Sequence, residues 1–226
     1  MKIEPIAFFH SPFTSKFGIP RQSGIVEELK GRISFVPEYA QGEALRGLED
    51  YDYLWLIWGF SEHVEVEKHA TVRPPLLGGN ERMGVWATRS PFRPNNLGLS
   101  SVRIAHIDTK VPYIDVWGAD LMDGTPIYDI KPYLPYVDSH VEARGGFTDR
   151  KGWKELQVEM PDALRQLFPA EDAKALERVL ALDPRPHYHD DEERKYGMPF
   201  KGFDIIFVVK AGVLRVMEWK EVSSHL

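Results

Sequence analysis

Residues 53–60, YLWLIWGF, contain no charged side chain and seven large apolar or aromatic ones. An uninterrupted run of this kind reads as a strand covered on both faces, which requires a sheet with other structure packed around it or a sheet closed on itself. Shorter β-rich segments surround it. Residues 2–10 alternate weakly through Ile3, Ile6, Phe8 and Phe9, and 31–36, 84–87, 100–106 and 113–117 follow, separated by Gly, Pro and Asp. Close spacing with such turn residues predicts a mainly β architecture, an antiparallel sheet or closed barrel. A short helix is expected over 37–45, ahead of the turn at Gly47. No strand–helix alternation is visible and no G-x-G-x-x-G follows a strand, so the doubly wound nucleotide scaffold is not supported. A P-loop lysine motif is also absent from the sequence.

The pattern changes after about residue 140. Gly145, Gly146 and Gly152 surround Trp153, and 161–182 then read as one or two helices interrupted at Pro169. Residues 203–209 and 213–219 read as a hairpin turning at Ala211-Gly212. We therefore expect residues 1–140 to form a β domain and 141–226 a small C-terminal α+β domain, with the boundary near 138–150.

Composition narrows the chemistry. The 226 residues include no cysteine, which removes disulfides, thiolate metal sites and cysteine nucleophiles. A net charge of −6 does not advertise a nucleic-acid binder, so any RNA contact needs a local cationic patch on an acidic body. The first residues do not form a signal peptide, and no apolar run reaches the roughly 18 residues of a membrane helix. These features lead to an expectation of a cytoplasmic protein without membrane contact.

Residues 83–102, MGVWATRSPFRPNNLGLSSV, open and close as strands. Between the strands lie Arg89 and Arg93, two prolines, Asn95, Asn96 and Gly98. A hairpin turn needs fewer residues and no cations, so this stiffened connection reads as a preformed site for an anionic or mixed polar and aromatic ligand. Three other stretches carry similar chemistry. IPRQ at 19–22 offers a planar donor fork and an amide; VRPPLLGGNERM at 72–83 adds Arg73 and Arg82 in a long loop. DLMDGTPIYDIKPYLPY at 120–136, with DGTPIYDIKPYLPY at 123–136 as its core, combines turn backbone with aromatic rings, suited to an adenine-like base. DPRPHY at 183–188 places Arg185 and Tyr188 together, which suits phosphate and a stacked base of single-stranded RNA. His187 and His189 beside Asp190 and Asp191 read as a polar loop rather than a metal site. No G-x-S-x-G supports a serine hydrolase.

Together these stretches, with the thirty-residue block TVRPPLLGGNERMGVWATRSPFRPNNLGLS at 71–100, resemble the TsaA-like (TrmO) family of tRNA threonylcarbamoyladenosine N6-methyltransferases. The resemblance follows family order and covers most of the chain. It implies a single-sheeted antiparallel β-barrel with a small C-terminal α+β domain, S-adenosylmethionine as methyl donor, and a homodimer. The implied reaction is methylation of N6 of threonylcarbamoyladenosine at tRNA position 37. Carried over by motif, Pro20, Arg21, Gln22, Arg89, Leu99, Thr125, Pro126, Ile127 and Tyr128 are expected at the donor. Ser61 and Glu62 stand where the family often has His-Gln, so their contact is less defined. Arg73, Arg93, Asn95, Arg185 and Tyr188 are expected at the tRNA, with Arg93 favoured for the acceptor's carboxylate. Asp129 is the candidate to take the acceptor's proton, beside a purely structural role for it. Competing readings are a non-catalytic barrel that binds S-adenosylmethionine or a nucleotide, and a methyltransferase acting on another RNA or a small molecule.

Overall fold

The computed structural model describes residues 2–61, 69–150, 152, 154–185 and 192–222. In chain order the strands of the first part are β1 (Ala7–His10), β2 (Lys30–Phe35), β3 (Tyr53–Gly59), the two-residue β4 (Thr71–Val72) and β5 (Met83–Gly84), β6 (Leu97–Asp108), β7 (Tyr113–Trp117) and β8 (Thr125–Pro132). After the single-turn helix α1 (Pro135–Asp138) come β9 (Gln157–Glu159), α2 (Asp162–Arg165), α3 (Ala170–Ala181), β10 (Tyr196–Phe200), β11 (Phe203–Lys210) and β12 (Val213–Glu221). Six strands close an antiparallel barrel in the order β1-β2-β7-β6-β3-β8. Closure removes the unpaired edges that an open sheet would expose. The remaining small sheet has the order β10-β11-β12-β9, with β9 parallel to β12.

The barrel is filled by alternate residues of each strand. On β3, Leu54, Leu56 and Trp58 point inward and are buried, whereas Trp55 and Ile57 are only half-covered. The run expected to be buried on both faces is therefore an inside-outside strand whose outer face is also apolar. Trp55 packs against Tyr133, with ring centroids 5.6 Å apart, and its Nε1 donates to Asp138 Oδ2 at 2.9 Å. Thus the chain leaving β8 roofs the outer face of β3.

Several local expectations change. Residues 37–45 do not form an α-helix; short 3-10 turns occupy Gly42–Leu45 and Leu48–Asp50. The segment 84–87 contributes only the end of β5 before a 3-10 turn at Val85–Ala87. The stretch expected as a turn around 125–128 begins β8, where Pro126 sits near the strand end and its missing N–H breaks little of the ladder.

A second core lies between α3 and the β9–β12 sheet, built on Leu176, Leu180, Phe200, Phe207 and Leu214. It also takes in Phe13, Val26 and Leu29 from the long β1–β2 connection. That connection is held on both sides. Lys201 N donates to Pro12 O at 3.0 Å, Asp123 N donates to Phe13 O at 2.8 Å, and Gly24 N donates to Gly118 O at 2.8 Å. Gly18 is required within it: its φ is +90°, and a Cβ there would come within 2.3 Å of Met198 Sδ.

Candidate functional site

Antiparallel pairing brings the end of β3 to the starts of β6 and β8 at one mouth of the barrel. A cavity of about 490 Å³ opens there, within the roughly 300–1,000 Å³ range of small-molecule sites. The barrel contributes Trp58, Phe60, Leu99 and Thr125, the β7–β8 connection contributes Asp120 and Met122, and the 11–29 connection supplies Lys16, Ile19, Pro20, Arg21 and Gln22. The 85–97 loop closes another side with Thr88, Arg89, Pro91 and Arg93.

The aromatic wall has a defined construction. Trp58 and Phe60 rings lie 4.4 Å apart, and Trp58 covers the backbone of Gly98 so closely that a Cβ there would fall 2.3 Å from the indole. Trp58 Nε1 donates to Ser100 Oγ at 3.0 Å. Ser100 Oγ in turn donates to Asp120 Oδ1 at 2.6 Å. Burial pushes the Asp120 carboxyl above the ordinary aspartate range, while the Ser100 hydroxyl, the Ser23 amide and the charge of Arg89 oppose that shift.

The cations are organised to different degrees. Arg89 Nη1 donates to Gln22 Oε1, joining the two loops across the cavity. Arg21 Nη2 reaches Asp183 O at 3.5 Å; burial lowers its pKa and the Asp183 charge raises it. Arg93 donates to Val85 O at 3.2 Å and Thr88 O at 2.7 Å and lies over the Trp86 ring, so its guanidinium holds its own loop in shape.

A larger cavity of about 1,510 Å³ shares Lys16, Arg21, Gln22, Phe60, Thr88 and Arg89 with the first. Its further lining includes Arg73, Arg82, Trp86, Phe92, Phe147 and Arg185. Arg185 is locked to Asp183 by two bonds of 2.8 and 2.9 Å. Arg82 donates to Thr71 Oγ1 at 3.1 Å. Cations and ring faces on one open surface suit a single-stranded nucleotide.

Of the expected donor residues, Pro20, Arg21, Gln22, Ser61, Arg89, Leu99 and Thr125 line the first cavity. Pro126, Ile127 and Tyr128 do not: Ile127 is buried inside the barrel, and the Tyr128 ring lies against Gly59. A register shift between Ile57 and Trp58 leaves Tyr128 without a partner on β3, so the strand bulges there. Among the expected tRNA residues, Arg73 and Arg185 line the larger cavity, Arg93 lines the smaller one, and Asn95 is exposed outside both. Glu62 and Tyr188, and with them His187 and His189, lie outside the described residues. Asp129 is also outside both cavities; it pairs with Lys131 at 3.1 Å and accepts from Ile130 N at 2.9 Å. The carboxyl that reaches the cavity is Asp120, which sequence reasoning passed over as a site residue although it opens the singled-out stretch 120–136. Lys16, Trp58, Phe60 and Met122 were passed over as site residues as well.

The lining matches S-adenosylmethionine in kind: ring and aliphatic walls for the purine and its chain, and cations for a carboxylate. Comparison with known proteins agrees. The tRNA-methyltransferase O N-terminal domain model matches residues 8–139, and the TrmO C-terminal domain model matches 154–222. A tRNA (adenine(37)-N6)-methyltransferase of Escherichia coli (strain K12) is 39% identical over 85% of this chain and 85% of its own. A putative S-adenosylmethionine-dependent methyltransferase, RcsF, of Pseudomonas aeruginosa is 38% identical over 90% of each chain. A crystal structure of TrmO from Pseudomonas aeruginosa superposes with a TM-score of 0.78 at 30% identity, covering 97% of this chain and 98% of that one. With both domain models matched in order, the chain belongs to the tRNA-methyltransferase O family.

Proposed function

We propose that this chain transfers the methyl group of S-adenosylmethionine to N6 of threonylcarbamoyladenosine at position 37 of tRNA. Family membership supports the coarser activity, an S-adenosylmethionine-dependent tRNA adenine-N6 methyltransferase. The observation that carries the finer reading is the shared wall between a donor-sized cavity and a larger groove lined by Arg73, Trp86 and Phe92.

When bound, the donor supplies an electrophilic methyl on a positively charged sulfur, so the protein's task is to align two reactants and exclude water. Arg89, placed by Gln22, is the cation for the donor carboxylate, and Trp58 and Phe60 form the wall for its purine. The acceptor's threonyl carboxylate also needs a cation. Arg93 is committed to Val85 O and Thr88 O and does not line the larger groove, so we assign that role to Lys16, which lines both cavities. Arg73 is assigned to the tRNA backbone. Phe92 and Trp86 offer faces on which a splayed nucleotide can stack.

The reading includes a homodimer in a cytoplasmic setting. Leu99 is 54% exposed at the rim of the smaller cavity, apolar surface that a second subunit would cover. Among the described residues no helix is long and apolar enough to cross a membrane. We also read 1–140 as the donor-binding domain and 141–226 as the domain that supports tRNA binding.

Mass spectrometry of nucleosides from tRNA carrying threonylcarbamoyladenosine, incubated with protein and S-adenosylmethionine, tests this function. The expected product is the modified nucleoside with one added methyl group. Methylation of unmodified A37 instead would overturn the assigned acceptor, and donor binding without methylation of any tRNA would identify a binding module.

A further inference from the structure

We propose that Asp120 is the catalytic base that removes the N6 proton of the acceptor nucleotide. This rests on the reaction assigned above. Asp120 is the only carboxylate residue among the described residues that line either barrel-mouth cavity, apart from Asp183, whose side chain is held by Arg185. The acceptor nitrogen is flanked by a purine and a carbonyl, so its lone pair is delocalised until the proton leaves. In the proposed step the N6–H bond breaks, an O–H bond forms on the Asp120 carboxylate, and the electron pair stays on nitrogen. Asp120 afterwards releases the proton to solvent.

The surroundings of Asp120 suit that task. Trp58 Nε1 occupies one lone pair of Ser100 Oγ, and the Ser100 hydroxyl donates to Asp120 Oδ1 at 2.6 Å, a length typical of a hydroxyl on a charged carboxylate. The chain Trp58–Ser100–Asp120 fixes the carboxyl against the aromatic wall, so the proton acceptor and the donor cavity share one frame. Burial outweighs the hydrogen bonds that favour the ionised form and raises the carboxyl above the ordinary aspartate range, the direction that strengthens a base. The charged groups sharing its cavity are Arg89 and Arg93 from the 85–97 loop and Lys16 and Arg21 from the 11–29 connection. All four are cations, and the Arg89 charge opposes part of the rise that burial imposes on the Asp120 pKa.

The test compares the full chain with the near-isosteric Asp120→Asn and with Ser100→Ala. Calorimetry with S-adenosylmethionine should give affinities within about threefold of wild type for Asp120→Asn, while kcat on threonylcarbamoyladenosine-containing tRNA falls by about 10²–10⁴-fold. Ser100→Ala removes a bond that favours ionised Asp120. The acidic limb of its pH–rate profile should therefore move to higher pH. Difference infrared spectroscopy of the protein alone should show one protonated carboxyl band lost in Asp120→Asn and persisting to higher pH in Ser100→Ala. An Asp120→Asn enzyme within tenfold of wild type overturns the assignment. So does a parallel loss of donor affinity and rate, or an acidic limb unmoved in Ser100→Ala. Absence of methylation by the wild type overturns the assigned reaction and the base with it, whereas equal methylation by wild type and Asp120→Asn overturns the base alone.

Discussion

Arg89 and Arg93 sit four residues apart in the same loop, and their partners separate their roles. Arg89 crosses to Gln22 beside the cavity proposed for the donor, whereas Arg93 is spent on Val85 O and Thr88 O. Replacing Arg89 by Ala is expected to weaken S-adenosylmethionine binding by tenfold or more, since a charge-assisted hydrogen bond is worth about 1.5–3 kcal/mol. Isothermal calorimetry reads this directly. Arg93→Ala is expected to reduce donor affinity as well, because the loop carrying Arg89 loses its internal brace; unchanged donor affinity with impaired tRNA methylation would return Arg93 to the acceptor. At Gly98 the constraint is space. A methyl there meets the Trp58 indole, so Gly98→Ala should lower stability by about 1–3 kcal/mol through overpacking and weaken donor binding in parallel. Chemical denaturation and calorimetry on one preparation would show whether the two losses travel together.

The 11–29 connection shows how an element without regular structure can be rigid. Phe13 is buried and meets the Phe200 ring edge-on at 5.7 Å, so the segment that presents Pro20, Arg21 and Gln22 is anchored in the core under α3. Phe13→Ala should cost about 3–5 kcal/mol, as for other buried aromatic truncations. If the anchor positions the loop, donor affinity must fall even in conditions where the variant is fully folded. Helix α1 offers a second test at this scale. Asp138 accepts from Leu134 N and Trp55 Nε1, both at 2.9 Å, and these bonds, the Leu134 amide first, hold its pKa below the usual aspartate value. A lowered carboxylate pKa stabilises the fold above the ordinary aspartate range and loses that contribution as pH falls through the folded-state value. The melting temperature of Asp138→Asn should therefore lie below wild type at neutral pH, with the gap closing on acidification.

Across the whole molecule, a net charge of −6 coexists with a groove lined by Lys16, Arg73, Arg82 and Arg89. Affinity for tRNA should then fall steeply with salt, as phosphate contacts release counterions. Arg73→Ala should reduce the slope of log K against log salt by about 1 if Arg73 meets a phosphate. A filter-binding series across ionic strength gives that slope, and an unchanged value would remove Arg73 from the interface. The barrel supplies the smaller cavity at its mouth, and the second core holds one of the cavity's loops from outside the barrel.

The amino-acid sequence alone determined the β-rich first part, the hairpin of β11 and β12, the helices after residue 161, and the motifs that place the chain in its family. These depend on local periodicity, turn chemistry and contiguous residue patterns, which are legible without a fold. β8 was not legible because Thr125–Pro132 carries two prolines and turn residues that mask a strand, and only pairing with β1 and β3 makes it one. The tertiary structure alone decided which cations are already spent within the protein. It also decided which carboxyl enters the cavity, because Asp129 and Asp120 differ only in what folds around them. Asp129 stands outside the cavity beside Lys131, and Asp120 is enclosed at the barrel mouth with Ser100. Burial and hydrogen-bond partners are properties of distant segments brought together, so the proton chemistry of the site is set by packing rather than by any one motif.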